Sequence, residues 1–113
     1  MTHNKFTTFA LSNNQVFGGN VDEFLNSGKD IRSMSICELK SSNSALVTLG
    51  YNDEAPVSHK YHLTTKSIGP ANMNVDEISA AIEAEADGLN GIICQDLTEV
   101  AGELIVSFLA VIA

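Results

Sequence analysis

The sequence has no tryptophan, only two cysteines and only six lysine and arginine residues among its 113 residues. Two cysteines cannot build the disulfide framework of a small secreted domain, so the cytoplasm is the expected compartment. The formal net charge is -8 and there is no basic cluster, which argues against binding to a nucleic-acid backbone. We therefore expect an acidic, cytoplasmic protein with no nucleic-acid partner.

The sequence also lacks an apolar run long enough to cross a membrane. The longest one, Leu104 to Ala113, is interrupted by Ser107 and has about half of the roughly 20 residues that a membrane helix needs. No apolar stretch follows a basic start in the first residues, so no secretory signal is expected. With 44% hydrophobic residues, the chain is predicted to fold as a single domain over residues 1–113, without membrane contact.

Motifs of catalytic and metal chemistry are missing as well. His59 and His62 are three residues apart on a predicted strand, which sends their rings to opposite faces, and no carboxylate cluster with metal-ligand spacing accompanies them. Cys37 and Cys94 each follow an isoleucine and are predicted to be buried structural thiols. We therefore predict no catalytic residue, no metal site and no cofactor, and favour a protein that is not an enzyme.

What the sequence does contain is a pattern that occurs twice. Three short matches recur in the same order in the two halves of the chain. They are Asn20-Val21-Asp22-Glu23 with Asn74-Val75-Asp76-Glu77, Ile36-Cys37 with Ile93-Cys94, and Val47-Thr48-Leu49 with Val106-Ser107-Phe108. In both halves the first asparagine is placed to cap a helix. The matches predict an internal duplication of a strand, helix, strand, strand unit, with repeats 1–52 and 58–113.

Each predicted unit combines a crossover with a hairpin. A helix between two strands is a crossover, so the first two strands should run parallel, while the third returns as a hairpin. In that third strand of the first unit, Ala45, Val47, Leu49 and Tyr51 alternate and should share one face. Two units predict an α+β fold with one six-stranded mixed sheet and two helices on one face.

The doubled strand, helix, strand, strand order resembles the architecture of the gyrase-inhibitor-like and SOUL haem-binding-like domains. In those domains the paired modules leave a cleft that takes small, often cationic, molecules. The resemblance covers element order across the chain and no sequence motif, and no residue here matches the ligand-binding glutamate of those domains. It therefore implies a fold and no site residue.

Charge is distributed unevenly along the chain. Residues 67–113 contain eight acidic residues and no lysine, arginine or histidine, whereas residues 1–66 contain six acidic residues and all six lysines and arginines. Asp76, Glu83 and Asp87 share a polar face of the second predicted helix. We expect this face to contact a basic protein partner, which would make the chain a small accessory protein that acts by binding. The other interpretation is that the acidic surface only keeps the domain in solution.

A competing hypothesis places a small-molecule site, which could take a cationic ligand, in a pocket between the two repeats. Its candidate ligand-binding residues are Tyr51, Tyr61 and Glu103, the last as an acidic group at the rim. An apolar pocket with a desolvated carboxylate would favour this hypothesis, and a flat, solvated acidic face would favour the protein-binding one.

The last strand is apolar on both faces, and this predicts an assembly. Two helices cover only one side of a six-stranded sheet, so the other side would expose a large apolar patch. We therefore expect a homodimer that packs sheet to sheet and buries Leu109 and Val111. A chain that stays monomeric would instead have to curl the sheet over its own open face.

Overall fold

The computed structural model describes residues 5–11, 23–39, 44–54 and 56–112. These residues form an α+β fold with six strands in two antiparallel sheets of three. In chain order the elements are β1 (Lys5–Leu11), β2 (Asp30–Leu39), β3 (Ser44–Asn52), β4 (Lys60–Pro70), α1 (Val75–Ala86), β5 (Ile92–Val100) and β6 (Glu103–Ile112). The α+β class is confirmed.

The two sheets have the same strand order. In the first sheet β3 lies between β1 and β2, and in the second sheet β6 lies between β4 and β5, with every pairing antiparallel. The first two strands of each half therefore run in the same direction, but the third strand separates them. The predicted single six-stranded mixed sheet is not confirmed, because the described strands form two sheets whose edges, β2 and β5, lie side by side without a hydrogen-bonded ladder.

Alternation along β3 determines which face of the first sheet is buried. Val47 and Leu49 are fully buried, and Phe9 of β1 and Ile36 of β2 lie opposite Val47 in the register. The intervening Thr48 is half-exposed. An alternating strand of an antiparallel sheet needs cover on one face only, and that face is the inner face, which points to the second sheet.

The second sheet is buried on its inner face by the first. Ile105 and Leu109 of β6 form one core cluster with Val47 and Leu49 of β3. On β4, Leu63 pairs with Leu109 and joins the same cluster. The core of the protein therefore lies between the two sheets.

The outer face of the second sheet is covered by α1. Lys66 of β4 pairs with Val106 of β6 and forms an ion pair with Glu85 of α1 at 3.1 Å, which places the helix on the side of Val106 and Phe108. Both of these side chains are buried. Strand β6 is thus covered on both faces, as its continuous apolar sequence requires.

Helix α1 begins at the predicted cap. The side chain of Asn74 accepts a hydrogen bond from the Glu77 amide at 2.9 Å, and the Asn74 amide donates one to the Glu77 carboxylate at 3.2 Å. This is a capping box, which satisfies two backbone donors at the helix start. The prediction of this helix start is confirmed.

The helical residues of the first half lie on a different face. Of the first predicted helix, the structure describes Glu23–Leu25 as helical, while its predicted cap, Asn20, lies outside the described residues. Leu25 belongs to the core cluster, and the ring of Phe24 packs edge-on against Tyr51 with centroids 4.9 Å apart. These residues contact the inner face of the first sheet, so the expectation of two helices on one face does not describe this arrangement.

The separation into two sheets also changes the place of the predicted dimer residues. Leu109 is fully buried within a single chain and Val111 is half-buried against the core. The face that we assigned to a second copy is covered by the first sheet of the same chain, so these two residues need no dimer to bury them. Self-association itself stays a prediction.

Candidate functional site

Helix α1 presents three acidic side chains to solvent. Asp76, Glu83 and Asp87, which we call the acidic stripe, are seven and four residues apart, close to two turns and one turn of an α-helix, and all three are exposed. The opposite side of the helix, with Ile78 and Ile82, is half-buried toward the sheet. Because Ile78 and Ile82 pack toward the sheet, the acidic stripe on the opposite side of the helix faces solvent.

Three acidic side chains outside the stripe form ion pairs with lysine or arginine. The pairs are Asp53 with Lys5 at 2.8 Å and with Lys29 at 3.9 Å, Asp30 with Arg32 at 2.8 Å, and Glu85 with Lys66 at 3.1 Å. Within residues 5–11, 23–39, 44–54 and 56–112, no ion pair involves the acidic stripe. The stripe therefore presents three negative charges on one side of a helix without a counterion from the described part of the chain.

The ion pair between Lys5 and Asp53 shows what such a cation does. The Lys5 ammonium donates a hydrogen bond to Asp53 and holds the pKa of that carboxyl below its ordinary value. The same hydrogen bond raises the pKa of Lys5. The carboxyl of Asp53 is thus less available to an outside cation than a solvated carboxylate is.

Tyr61, a predicted ligand-binding residue, joins the two sheets. Its hydroxyl accepts a hydrogen bond from the Ile31 amide of β2 at 3.0 Å and lies 3.0 Å from Nε2 of His59. The side chain is buried, and this burial raises the pKa of Tyr61. Tyr61 is therefore part of the contact between the sheets.

The other two predicted ligand-binding residues differ in their position relative to Tyr61. Tyr51 is half-buried and packs on Phe24 at the inner face of the first sheet. Glu103 is the first residue of β6, whereas Tyr61 pairs with Val111, eight residues further along the same strand. At about 3.3 Å per residue, that separation is about 26 Å. The structure does not bring Glu103 to the tyrosines.

A polar row that the sequence analysis did not single out crosses the inner face of the second sheet. Ser107 of β6 pairs with Thr65 of β4 and Asp96 of β5. Asp96 accepts a hydrogen bond from the Ile36 amide at 2.7 Å, which ties the edge of β5 to the edge of β2. The hydroxyls of Thr65 and Ser107 are buried without a hydrogen-bond partner. Asp96 thus connects the two sheets. The hydroxyls of Thr65 and Ser107 lower the free energy of unfolding, because a buried polar group without a partner carries a desolvation penalty.

The sequence analysis also missed a cavity on the outer face of the first sheet. It has a volume of about 280 Å³ and is lined by Phe6, Arg32, Ser33, Gly50 and Tyr51. Gly50 pairs with Phe6 on one side and Ser33 on the other. A β-carbon at Gly50 would meet the Ser33 hydroxyl and the Phe6 ring, so both can lie over this position only because it is a glycine. A glycine inside an otherwise alternating strand was the available signal.

The two cysteines differ in exposure. Cys37 is exposed because its neighbour Ile36 takes the core-facing position on β2, so the prediction of a buried thiol is wrong there. Cys94 is half-buried, and burial raises the pKa of its thiol. A raised pKa disfavours the thiolate, which is the nucleophilic form of Cys94.

Comparisons with known proteins add no relative. A scan against models of protein families, a search of curated proteins and a search of solved structures each find no match to the chain. Over the described residues, no group of three or more side chains is arranged to hold a metal ion. The same residues include no helix long and apolar enough to cross a membrane.

Proposed function

We propose that the chain is a non-enzymatic binding protein whose acidic stripe contacts a basic protein partner. The observation that carries this proposal is that Asp76, Glu83 and Asp87 are exposed on one side of α1 and have no ion pair within the described residues. A partner with lysine or arginine side chains would supply the cations that the second half of the chain lacks. Complementary charge of this kind speeds association and selects among partners.

The position of the charges along the helix supports the proposal. Helix α1 has acidic residues in its first turn and no basic residue in its last turn, where Glu83 lies, and Asp87 is its C-cap residue. Negative charge is favourable at the start of a helix and unfavourable at its end, because of the helix dipole. Glu83 and Asp87 therefore do not stabilise the helix through its dipole. Contact with a basic partner would explain their presence, whereas helix stability does not.

The spacing limits the kind of surface that fits. At 1.5 Å per residue, Asp76 and Glu83 are about 10 Å apart along the helix axis, and Glu83 and Asp87 about 6 Å. A basic helix or strand can present cations at such intervals. Each exposed ion pair contributes only about 0.2–1 kcal/mol, so binding should need all three and should weaken with salt.

The proposal can be tested with a labelled helical peptide of lysine and alanine as the basic probe. We expect the variant Asp76→Asn/Glu83→Gln/Asp87→Asn to bind this peptide about tenfold more weakly in fluorescence anisotropy, since three exposed pairs at about 0.5 kcal/mol each are lost. The matched control is Glu23→Gln/Glu54→Gln/Glu99→Gln, which removes the same charge at exposed positions elsewhere. If the control weakens binding equally, net charge and not the stripe attracts the peptide, and the stripe is only a solvated surface.

A further inference from the structure

The cavity on the first sheet lies where the second sheet has its helix. Within the described residues, α1 covers the outer face of the second sheet, and no helix lies on the outer face of the first. The cavity is lined by residues from all three strands of that sheet, β1, β2 and β3. A site on a rigid sheet is held more firmly than one on a loop.

Phe6 gives the cavity an aromatic wall. Its side chain is 67% exposed, the most exposed phenylalanine among the described residues, although a phenylalanine is usually buried. The ring is held over Gly50, where a β-carbon would come within 3.0 Å of its edge. An aromatic ring kept in this position offers a surface on which a second planar group can stack or pack edge-on.

Arg32 gives the same cavity a positioned cation. The register of β2 shifts between Ile31 and Ser33, so Arg32 sits in a β-bulge, a feature that redirects side chains. Its Nε and Nη2 atoms lie 2.9 Å and 2.8 Å from one oxygen of Asp30. That contact orients the guanidinium and leaves further N–H donors for an outside acceptor, since the side chain is 63% exposed.

From these observations we propose that the cavity binds a small planar carboxylate, with its ring against Phe6 and its carboxylate on Arg32. Ser33 adds a hydroxyl donor beside Arg32. At about 280 Å³ the cavity is just below the roughly 300–1,000 Å³ of sites for drug-sized ligands, so a molecule of one ring fits. The positive charge of Arg32 disfavours a cationic ligand. The proposed ligand therefore differs in charge from the cationic ligand that the sequence analysis placed in a pocket between the repeats.

Three probes of equal ring size test the proposal by NMR on the whole chain. We expect benzoate to shift the amide signals of Ser33 and Gly50 and the Nε–H signal of Arg32 in a saturable way at millimolar concentration. Benzyl alcohol, which keeps the ring and loses the charge, should bind more weakly, and benzylamine should not bind. The absence of saturable shifts with benzoate, or equal shifts with benzylamine, overturns the proposal.

Variants separate the cation from general charge effects. Arg32→Gln should weaken benzoate binding at least about fivefold and bring it to the level of benzyl alcohol, because a charge-assisted bidentate contact is lost. Lys66→Gln is the matched control, since it removes one exposed, ion-paired cation from the other sheet and should leave binding unchanged. Phe6→Leu should weaken benzoate and benzyl alcohol alike. Equal losses in Arg32→Gln and Lys66→Gln would show that the guanidinium makes no contact, and would also overturn the proposal.

Discussion

The two sheets share one strand order and differ in how they are covered. Strand β3 alternates core residues such as Val47 with polar or small ones such as Thr48, and the first sheet is buried on one face. Strand β6 is buried at every position from Leu104 to Ala110, and the second sheet is covered on one face by the first sheet and on the other by α1. The apolar pattern of the central strand thus determines whether one or both faces of a sheet must be covered by other elements. The positions of the two candidate sites follow from this difference between the sheets. The acidic stripe lies on the helix that covers one sheet, and the cavity lies on the outer face of the other, where the described residues place no helix.

The largest expected effect concerns the outer faces of the two central strands. Phe108, under α1, is 2% exposed, whereas Leu46 on the outer face of β3 is half-buried. We expect Phe108→Ala to lower the free energy of unfolding by about 3–5 kcal/mol, because a large buried side chain is lost, and Leu46→Ala to lower it by about 1 kcal/mol. Urea denaturation followed by circular dichroism measures both. Equal costs would mean that the two outer faces are equally covered.

The next effect concerns the buried hydroxyls of the second sheet. Thr65→Val and Ser107→Ala each remove a buried hydroxyl that has no hydrogen-bond partner, so each should raise the free energy of unfolding by about 1 kcal/mol. Thr8→Val is the control, since the exposed Thr8 hydroxyl lies 3.2 Å from that of Thr48, and it should change stability by less than about 0.5 kcal/mol. A loss of stability in the first two variants would show that these hydroxyls are bonded.

A smaller effect lies in the hairpin between β5 and β6. Val100 pairs with Glu103, so Ala101 and Gly102 form a two-residue turn with φ values of 52° and 83°. This is the turn in which asparagine followed by glycine is preferred, and alanine is strained there. We expect Ala101→Asn to raise the melting temperature, with a gain of about 1 kcal/mol in the free energy of unfolding.

The matched control places the same substitution in α1. At the exposed position Ala84, the change Ala84→Asn should cost about 0.5–0.7 kcal/mol, because asparagine is a poorer helix former than alanine. Opposite signs at the two positions identify the turn conformation as the cause. A destabilising Ala101→Asn would contradict the positive φ at that residue.

The smallest effect is a pH dependence in the first half. Because Lys5 lowers the pKa of Asp53 in the folded state, the charge of Asp53 stabilises the fold above the unfolded pKa and loses this effect as the pH falls through the folded pKa. Asp53→Asn should therefore shift the urea midpoint slightly near pH 7, and the shift should disappear in acid below the folded pKa. Glu54→Gln removes the next carboxylate along the chain, which has no ion pair within the described residues, and should shift the midpoint less. A shift that persists in strong acid would exclude the ion pair as its cause.

The sequence predicted the parts of the fold that depend on local patterns. The α+β class, the cap at Asn74 and the single buried face of β3 follow from spacing and alternation, which act within one element. The division into two sheets depends on which strand edges meet. That is decided by tertiary contacts such as the hydrogen bond from the Ile36 amide to Asp96, and no local pattern encodes it.

The candidate sites were predictable to different degrees. Exposure of the acidic stripe followed from helical spacing, because charged residues on the polar side of an amphipathic helix face water. The cavity could not be predicted, since it needs Phe6 and Ser33 on either side of Gly50, and these residues are far apart in the sequence. Glu103 was grouped with the tyrosines from composition, without the register that places it at the other end of β6.

The difference in cover between the two sheets is tested most directly by the solvent accessibility of two phenylalanine rings. With 4-fluorophenylalanine in place of all five phenylalanines, each ring gives its own ¹⁹F signal, which single phenylalanine-to-leucine variants assign. A soluble gadolinium chelate should broaden the signal of Phe6 strongly and leave that of Phe108 sharp, because Phe6 is 67% exposed and Phe108 is 2% exposed. Equal broadening of the two signals, or stronger broadening of Phe108, would contradict the arrangement in which α1 covers one sheet and no helix of the described residues covers the outer face of the other.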